Sequence, residues 1–264
     1  MSKQNQIRLI VRADDIASSH SATLACIESF RQGIARSVEI MAPCAWFPEA
    51  VELLKSVPEL EVGVHLTLTS EWAGCKWRPV SHAPSLVTED GFFFPLTSHR
   101  QDAPPPNQGF LQCGYLLEEV ERELRAQIEL TLRHVNHVTH LSSHMGAPTC
   151  MPDLLAVTQR LADEYGLILD LPDYVKPLAV QRNPDIALEE RLADALATVH
   201  PGTWLFVEHP AYDDAEMQAL SHGGDHPLGL VARQRAGVLT AFTSPKVRQI
   251  VEQRGIELIN YTNA

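Results

Sequence analysis

Short apolar runs rich in Val, Ile and Leu recur along the chain, separated by longer stretches in which apolar positions return every three or four residues. Seven runs read as strands, over 7–13, 37–42, 61–67, 137–142, 167–171, 203–208 and 256–260. Helical periodicity covers 21–32, 46–56, 115–135, 151–165, 186–199, 228–241 and 245–254, several of these segments being followed by Gly. Strand and helix alternate, which is the pattern of a parallel sheet with helical crossovers. No Gly-rich dinucleotide fingerprint accompanies it, so an α/β fold of the TIM-like, incomplete (β/α)7 barrel type is expected ahead of a doubly wound open sheet.

One stretch breaks the rhythm. Residues 69–114 carry Trp72, Trp77, "DGFFFP" and "DAPPPNQG", too irregular for a helix and too long for a simple connection, and they read as a lid or binding insertion. Shorter irregular loops are expected over 172–185 and 209–227. No internal repeat or linker divides the chain, so residues 1–264 are expected to form one barrel domain.

Composition narrows the partners. The chain has 21 Lys and Arg against 33 Asp and Glu, a formal charge of -12, which offers no basic footprint for nucleic acid or an anionic membrane. A small neutral or cationic ligand fits better. The opening "MSKQNQ" is polar and the apolar run after it is too short for a signal peptide or a membrane span, so a cytoplasmic location is expected. Five cysteines, with no CxxC spacing, indicate neither a disulfide framework nor a thiolate zinc site. A homodimer is the default assembly.

In a barrel of this type the ligand site lies at the carboxyl ends of the strands. Those ends carry Asp14 and Asp15 after the first strand, His65 in the third, His144 after the fourth and His209 after the sixth. One carboxylate and two neutral imidazoles form a catalytic ligand set for a divalent metal, and Asp15, His65 and His144 are the expected ligands. Asp14 is then free to act as general base on water that the cation activates, with His209 protonating a leaving group or stabilising an oxyanion. Each residue also has a plainer reading. An Asp pair after a strand serves as helix cap and turn, His65 between Val64 and Leu66 as a core histidine, and His144 and His209 as loop residues. Among the other histidines, His140 reads as structural and His20 equally as a residue near the rim or the exposed start of a helix, while His222 and His226 read as a solvated loop, a mobile substrate loop or a second metal site.

The motifs "IVRADD", "VGVHLTL", "THLSSHMG", "VEHPAY" and the closing "RAGVLTAFTSPKVRQIVEQRGIELINY", in that order, resemble the YdjC/ChbG-like carbohydrate deacetylase family, of chitooligosaccharide type. The resemblance implies an incomplete (β/α) barrel of the glycoside hydrolase/deacetylase group. It implies Asp15, His65 and His144 as ligands of one divalent ion, Mg or Zn ahead of Mn, Co or Ni. It also implies Asp14 as base, His209 as the histidine of the "HP" motif, and Arg235 as support for the site through a carboxylate. The substrate it implies is an amino sugar or short oligosaccharide that loses an N-acetyl group. Two motifs depart from the family: "DDIA" stands where "DDFG" is usual, and Ser142 and Gly146 stand where "DSHxH" has Asp and a second His. Hydrolysis of another ester, amide or phosphoester, or carbohydrate binding without catalysis, stays open beside deacetylation. Trp72 and Trp77 either stack on sugar rings or close the loop over the site.

Overall fold

The fold is described from a computed structural model, over residues 6–99, 109–169 and 172–264. Strands β1 (Ile7–Ile16), β2 (Ser37–Ile40), β3 (Glu61–Leu66), β4 (Val138–Ser143), β5 (Val175–Pro177), β6 (Gly202–Glu208) and β7 (Glu257–Ile259) form one parallel sheet. Its order is β4-β3-β2-β1-β6-β5, with β7 also paired to β1. β6 runs along β1 from Ile7 to Ala13. The other edge of β1 is shared, by β7 at Arg8 to Ile10 and by β2 from Arg12 onward. The sheet is a half-barrel, as the alternating pattern predicts.

Helices α1 (His20–Arg31), α2 (Phe47–Leu54), α3 (Leu117–His134), α4 (Pro152–Tyr165), α5 (Leu188–Thr198), α6 (Ala215–Gln218), α7 (Leu230–Thr243) and α8 (Pro245–Gln253) surround it. The period-two alternation of β1 explains the layering. Leu9, Val11 and Ala13 join a large core with helix residues such as Ala22, Cys26 and Phe242. Ile10 instead packs with Ile259 and Tyr261 in a small cluster inside the sheet. Arg12 and Asp14 continue that inner row toward the carboxyl end.

The expected fifth strand differs. Of 167–171, Ile168 makes only a single parallel bridge to His140, and 170–171 lie outside the described residues. Regular pairing falls instead at β5, inside the stretch 172–185 whose pattern is that of a loop. Pro177 in it cannot donate a hydrogen bond, as befits the end of the sheet order, where among the described residues one side of the strand has no strand partner. Among its described residues the expected insertion at 69–114 holds short 3-10 turns at Pro84–Leu86 and Phe110–Gln112 and isolated bridges between Val87 and Phe93 and between Leu96 and Gly109, and its residues 100–108 lie outside the described set. Among the described residues, no helix is long and apolar enough to cross a membrane.

Candidate metal centre

β1 does not stop before its two carboxylates, because Asp14 and Asp15 lie within it at a bulge between Ala13 and Ile16. Adjacent side chains of a regular strand face opposite ways. Here Asp15 adopts φ 70 and Ala17 φ 83, the left-handed region that costs a non-glycine residue about 1–3 kcal/mol. The irregular backbone brings both carboxylates to one place, since Asp14 Oδ2 and Asp15 Oδ1 lie 4.0 and 3.5 Å from His65 Nε2. Hydrogen bonds from Ser18 N to Asp15 O (3.0 Å) and from Ala17 N to Thr23 Oγ1 (3.1 Å) hold the turn in place.

β3 and β4 supply the imidazoles. His65 is on β3, and His144 opens a turn after β4 in which Met145 and Gly146 take φ 50 and 70. Asp15 Oδ1 is 3.4 Å from His144 Nδ1, and the ligand atoms of Asp15, His65 and His144 all lie within 4.8 Å of one another. All three residues are buried. Among the described residues Asp15 Oδ1 has no hydrogen-bond partner, an unusual state for a buried carboxylate oxygen and one that a cation would satisfy. The donor set of one oxygen and two ring nitrogens suits a divalent ion.

Both ring orientations agree with that use. Ser142 Oγ donates to Glu39 Oε2, so His65 Nδ1, 2.7 Å from the same hydroxyl, is the donor to it. His144 Nε2 donates to Glu71 Oε2 over 3.0 Å. Each ring thereby turns its other nitrogen toward Asp15. Burial pushes the His65 imidazole down to about 4. Burial opposes a charge on His144, yet Glu71 and Asp15 outweigh it and raise that ring to about 10.

Two arginines offset the adjacent carboxylates. Arg12 forks onto Asp14, Nε to Oδ1 at 2.7 Å and Nη2 to Oδ2 at 2.9 Å, and its Nη1 donates to the Tyr261 hydroxyl at 2.7 Å. Arg235, on α7, donates from Nη2 to Asp15 Oδ2 at 2.7 Å. Burial alone would raise the Asp15 carboxyl, but Arg235, His209 and His144 hold it well below the usual carboxylate range. Beneath the cluster, Glu39 accepts from His140 at 2.5 Å and from Ser142. Burial works against this carboxylate too, and His140 and Arg12 bring it down to about 2.

A cleft of about 840 Å3 opens onto the cluster, lined by Asp15, His144, His209, Arg235, Trp72 and His222 among others. The structure thus gathers Asp14, Asp15, His65, His144 and Arg235 at one place, with His209 on the cleft wall. Trp72 and Trp77 are each only 4% exposed, Trp72 lining the cleft and Trp77 lying behind it. Trp72 packs on the Arg235 guanidinium (5.4 Å) and the His222 ring (4.8 Å), and Trp77 lies edge-on to His144 and donates to Thr69 O. His20 stays outside the cluster, paired with Glu49 at 2.8 Å, and His140 is buried against Glu39 and stacked on Tyr261. His222 and His226 contact each other at 4.7 Å, but among the described residues the cluster at Asp15 is the one group arranged to hold a metal.

Arg12, Glu39 and Glu71 escape the motif reading. A signal existed for two of them: Arg12 is two residues before Asp14 in a period-two strand, and Glu39 is a carboxylate inside a fully buried one. Glu71 lies in an irregular loop that gives no such cue.

The model of the YdjC-like protein family matches residues 8–253. The chain belongs to this family. Relatives named carbohydrate deacetylase include one from Listeria monocytogenes serotype 4a (strain HCC23), 28% identical, with 97% of this chain and 99% of the relative covered. Another, from Geobacillus stearothermophilus, is 28% identical, with 96% of each chain covered. Among solved structures, an Enterococcus faecalis V583 protein described as a candidate for cellobiose-phosphate cleavage superposes with a TM-score of 0.77 at 26% identity, over 98% of both chains. A mutant CE4 family pseudoenzyme shares the fold at a TM-score of 0.50 and 13% identity, over 98% of this chain and 67% of its own.

Proposed function

We propose that this YdjC-like protein is a metal-dependent carbohydrate deacetylase, a hydrolase that removes an N-acetyl group from an amino sugar or short oligosaccharide. The observation that carries the reading is the buried, unpartnered Asp15 Oδ1 facing two correctly turned ring nitrogens at the base of an open cleft. The curated relatives named carbohydrate deacetylase, matched along nearly the whole chain, supply the substrate class.

Asp15, His65 and His144 would hold one divalent cation, with Mg or Zn the leading candidates. When bound, such an ion supplies Lewis acidity toward water and the acetamide carbonyl. Asp14 takes the proton from the attacking water, and the two-pronged Arg12 contact keeps its carboxylate oriented toward the cluster. His209 gives a proton to the departing amine. Arg235 fixes Asp15 through Oδ2 and leaves Oδ1 free. Residues 1–264 act as one barrel domain on a small cytoplasmic substrate, with no role for nucleic acid or membrane and a homodimer as the default assembly.

Acetate release from N-acetylglucosamine oligomers tests the reading, measured on chelator-treated protein before and after Zn2+ or Mg2+ is restored. Release that depends on the metal supports it. Release unaffected by chelation, or turnover confined to cellobiose phosphate or a phosphoester panel, overturns it.

A further inference from the structure

The two histidines of the cluster are oriented by different means. His144 meets a carboxylate directly, at Glu71. His65 meets a hydroxyl, Ser142 Oγ, at 2.7 Å, and the carboxylate stands one bond farther away, on β2, where Glu39 Oε2 accepts from that hydroxyl.

Glu39 is held for this role. It is wholly buried, its Oε1 accepts from His140 Nε2 at 2.5 Å, and the Arg12 Nε is 3.8 Å away. His140 is in turn stacked on Tyr261 with ring centroids 3.7 Å apart. The space Glu39 occupies exists because residue 63 has no side chain, since a Cβ there would sit 2.3 Å from Oε2. A carboxylate only accepts hydrogen bonds. The Ser142 hydroxyl hydrogen therefore points to Glu39, and the hydroxyl oxygen is left to accept from His65 Nδ1–H. His65 Nε2 is then an unprotonated donor atom facing Asp15.

We infer that Glu39 and Ser142 together form a hydrogen-bond relay, acting as positioning residues that fix the His65 tautomer for cation binding. The inference rests on the metal-centre reading above. Partners that orient a ligating histidine typically change metal affinity 10–100-fold when removed.

Glu39→Gln puts an amide within reach of Ser142. With its NH2 toward the hydroxyl, Ser142 becomes the acceptor of that bond and turns its own hydrogen to His65 Nδ1, so the ring's proton moves to Nε2 and opposes the cation. Ser142→Ala removes the relay while leaving Glu39 with His140 and Arg12. Glu39→Gln combined with Ser142→Asp restores a direct acceptor for Nδ1–H and lets the introduced amide donate to the new carboxylate.

Zn2+ affinity of the metal-free full chain, measured by calorimetry in competition with a chelator, separates the possibilities. Glu39→Gln and Ser142→Ala are expected to bind about 10–100-fold more weakly, and the double variant within about threefold of wild type by the same reasoning. Nitrogen-15 spectra of labelled histidine in the wild-type protein should show His65 protonated at Nδ1. Either a His65 protonated at Nε2, or single variants that bind Zn2+ as wild type does while His65→Ala loses it, overturns the relay and leaves the metal centre standing. A double variant that folds but stays as weak as Glu39→Gln also overturns the relay. Zn2+ binding that survives His65→Ala overturns the metal centre itself. The spectra of the wild-type chain decide the tautomer even where a variant does not fold.

Discussion

Gly63→Ala places one methyl group where the barrel interior has no room. Gly63 is two residues before His65 on β3 and faces the same inner row. The added Cβ would lie 2.3 Å from Glu39 Oε2, 2.4 Å from His140 Nε2 and 2.7 Å from His140 Cδ2. Glu39 is tied to His140 and Ser142, and the His140 ring is stacked on Tyr261, so neither neighbour has a free direction to move. Overpacking of this kind costs about 1–3 kcal/mol. Weakening hydrogen bonds to a buried, ionised carboxylate adds about 1.5–3 kcal/mol. A total of about 2.5–6 kcal/mol follows, at the upper end of single substitutions. In a chain of this size each kcal/mol lowers the unfolding midpoint by about 2–4 °C, so the expected fall is roughly 5–24 °C. Differential scanning calorimetry of the metal-free protein measures it, and Zn2+ affinity should fall in parallel because the shifted Glu39 no longer holds Ser142. A midpoint within about 2 °C of wild type, less than 1 kcal/mol on that scale, would refute the claim that this row is close-packed around Glu39.

Other expectations follow from the same geometry. Arg235→Ala leaves the buried Asp15 carboxylate without its guanidinium and should destabilise the metal-free protein by about 3–5 kcal/mol; combining it with Asp15→Asn should recover part of that loss in a double-mutant cycle read by denaturant unfolding. His144 carries a folded-state value raised from 6.5 to about 10 without a cation. Its stabilising contribution is therefore present in full below pH 6.5 and is lost as pH rises toward 10, so thermal midpoints in chelator should fall across that window, and less steeply in His144→Gln. Zn2+ binding at pH 8 should release about one proton, since the cation takes the place of the proton on Nδ1; calorimetry in buffers of different ionisation enthalpy reads the number. Asp14→Asn should lower kcat on N-acetylated substrate by about 10²–10⁴, with Zn2+ affinity changed far less than in His65→Ala.

The half-barrel was legible because strands such as β2 and β3 are buried along their whole length and carry Val, Ile and Leu in short runs, and because glycines such as Gly33 and Gly166 follow the helices. The fifth strand was not legible: "LILDL" has the apolar density of a strand but among its described residues only Ile168 bridges another strand, while "VKP" is three residues long and contains a proline. Pairing at the end of a sheet depends on which backbone is within reach, which local pattern does not encode. The residues of the centre were legible one strand end at a time, since Asp15, His65 and His144 each follow or occupy a carboxyl end. What joins them was hidden. The bulge that turns Asp14 and Asp15 to one side depends on positive φ at Asp15 and Ala17, which neither residue type advertises. The partners that orient the rings come from the loop at Glu71 and from Ser142 on β4, whose hydroxyl is held by Glu39 on β2, two strands away in the sheet.

The central claim is that Asp15, His65 and His144 hold one divalent cation, and anomalous diffraction at the zinc edge from crystals grown with stoichiometric Zn2+ tests it most directly. The account predicts a single strong peak within coordination distance of Asp15 Oδ1, His65 Nε2 and His144 Nδ1, with Asp14 close by and still forked by Arg12. A peak elsewhere, or none with these side chains turned away from one another, would contradict it.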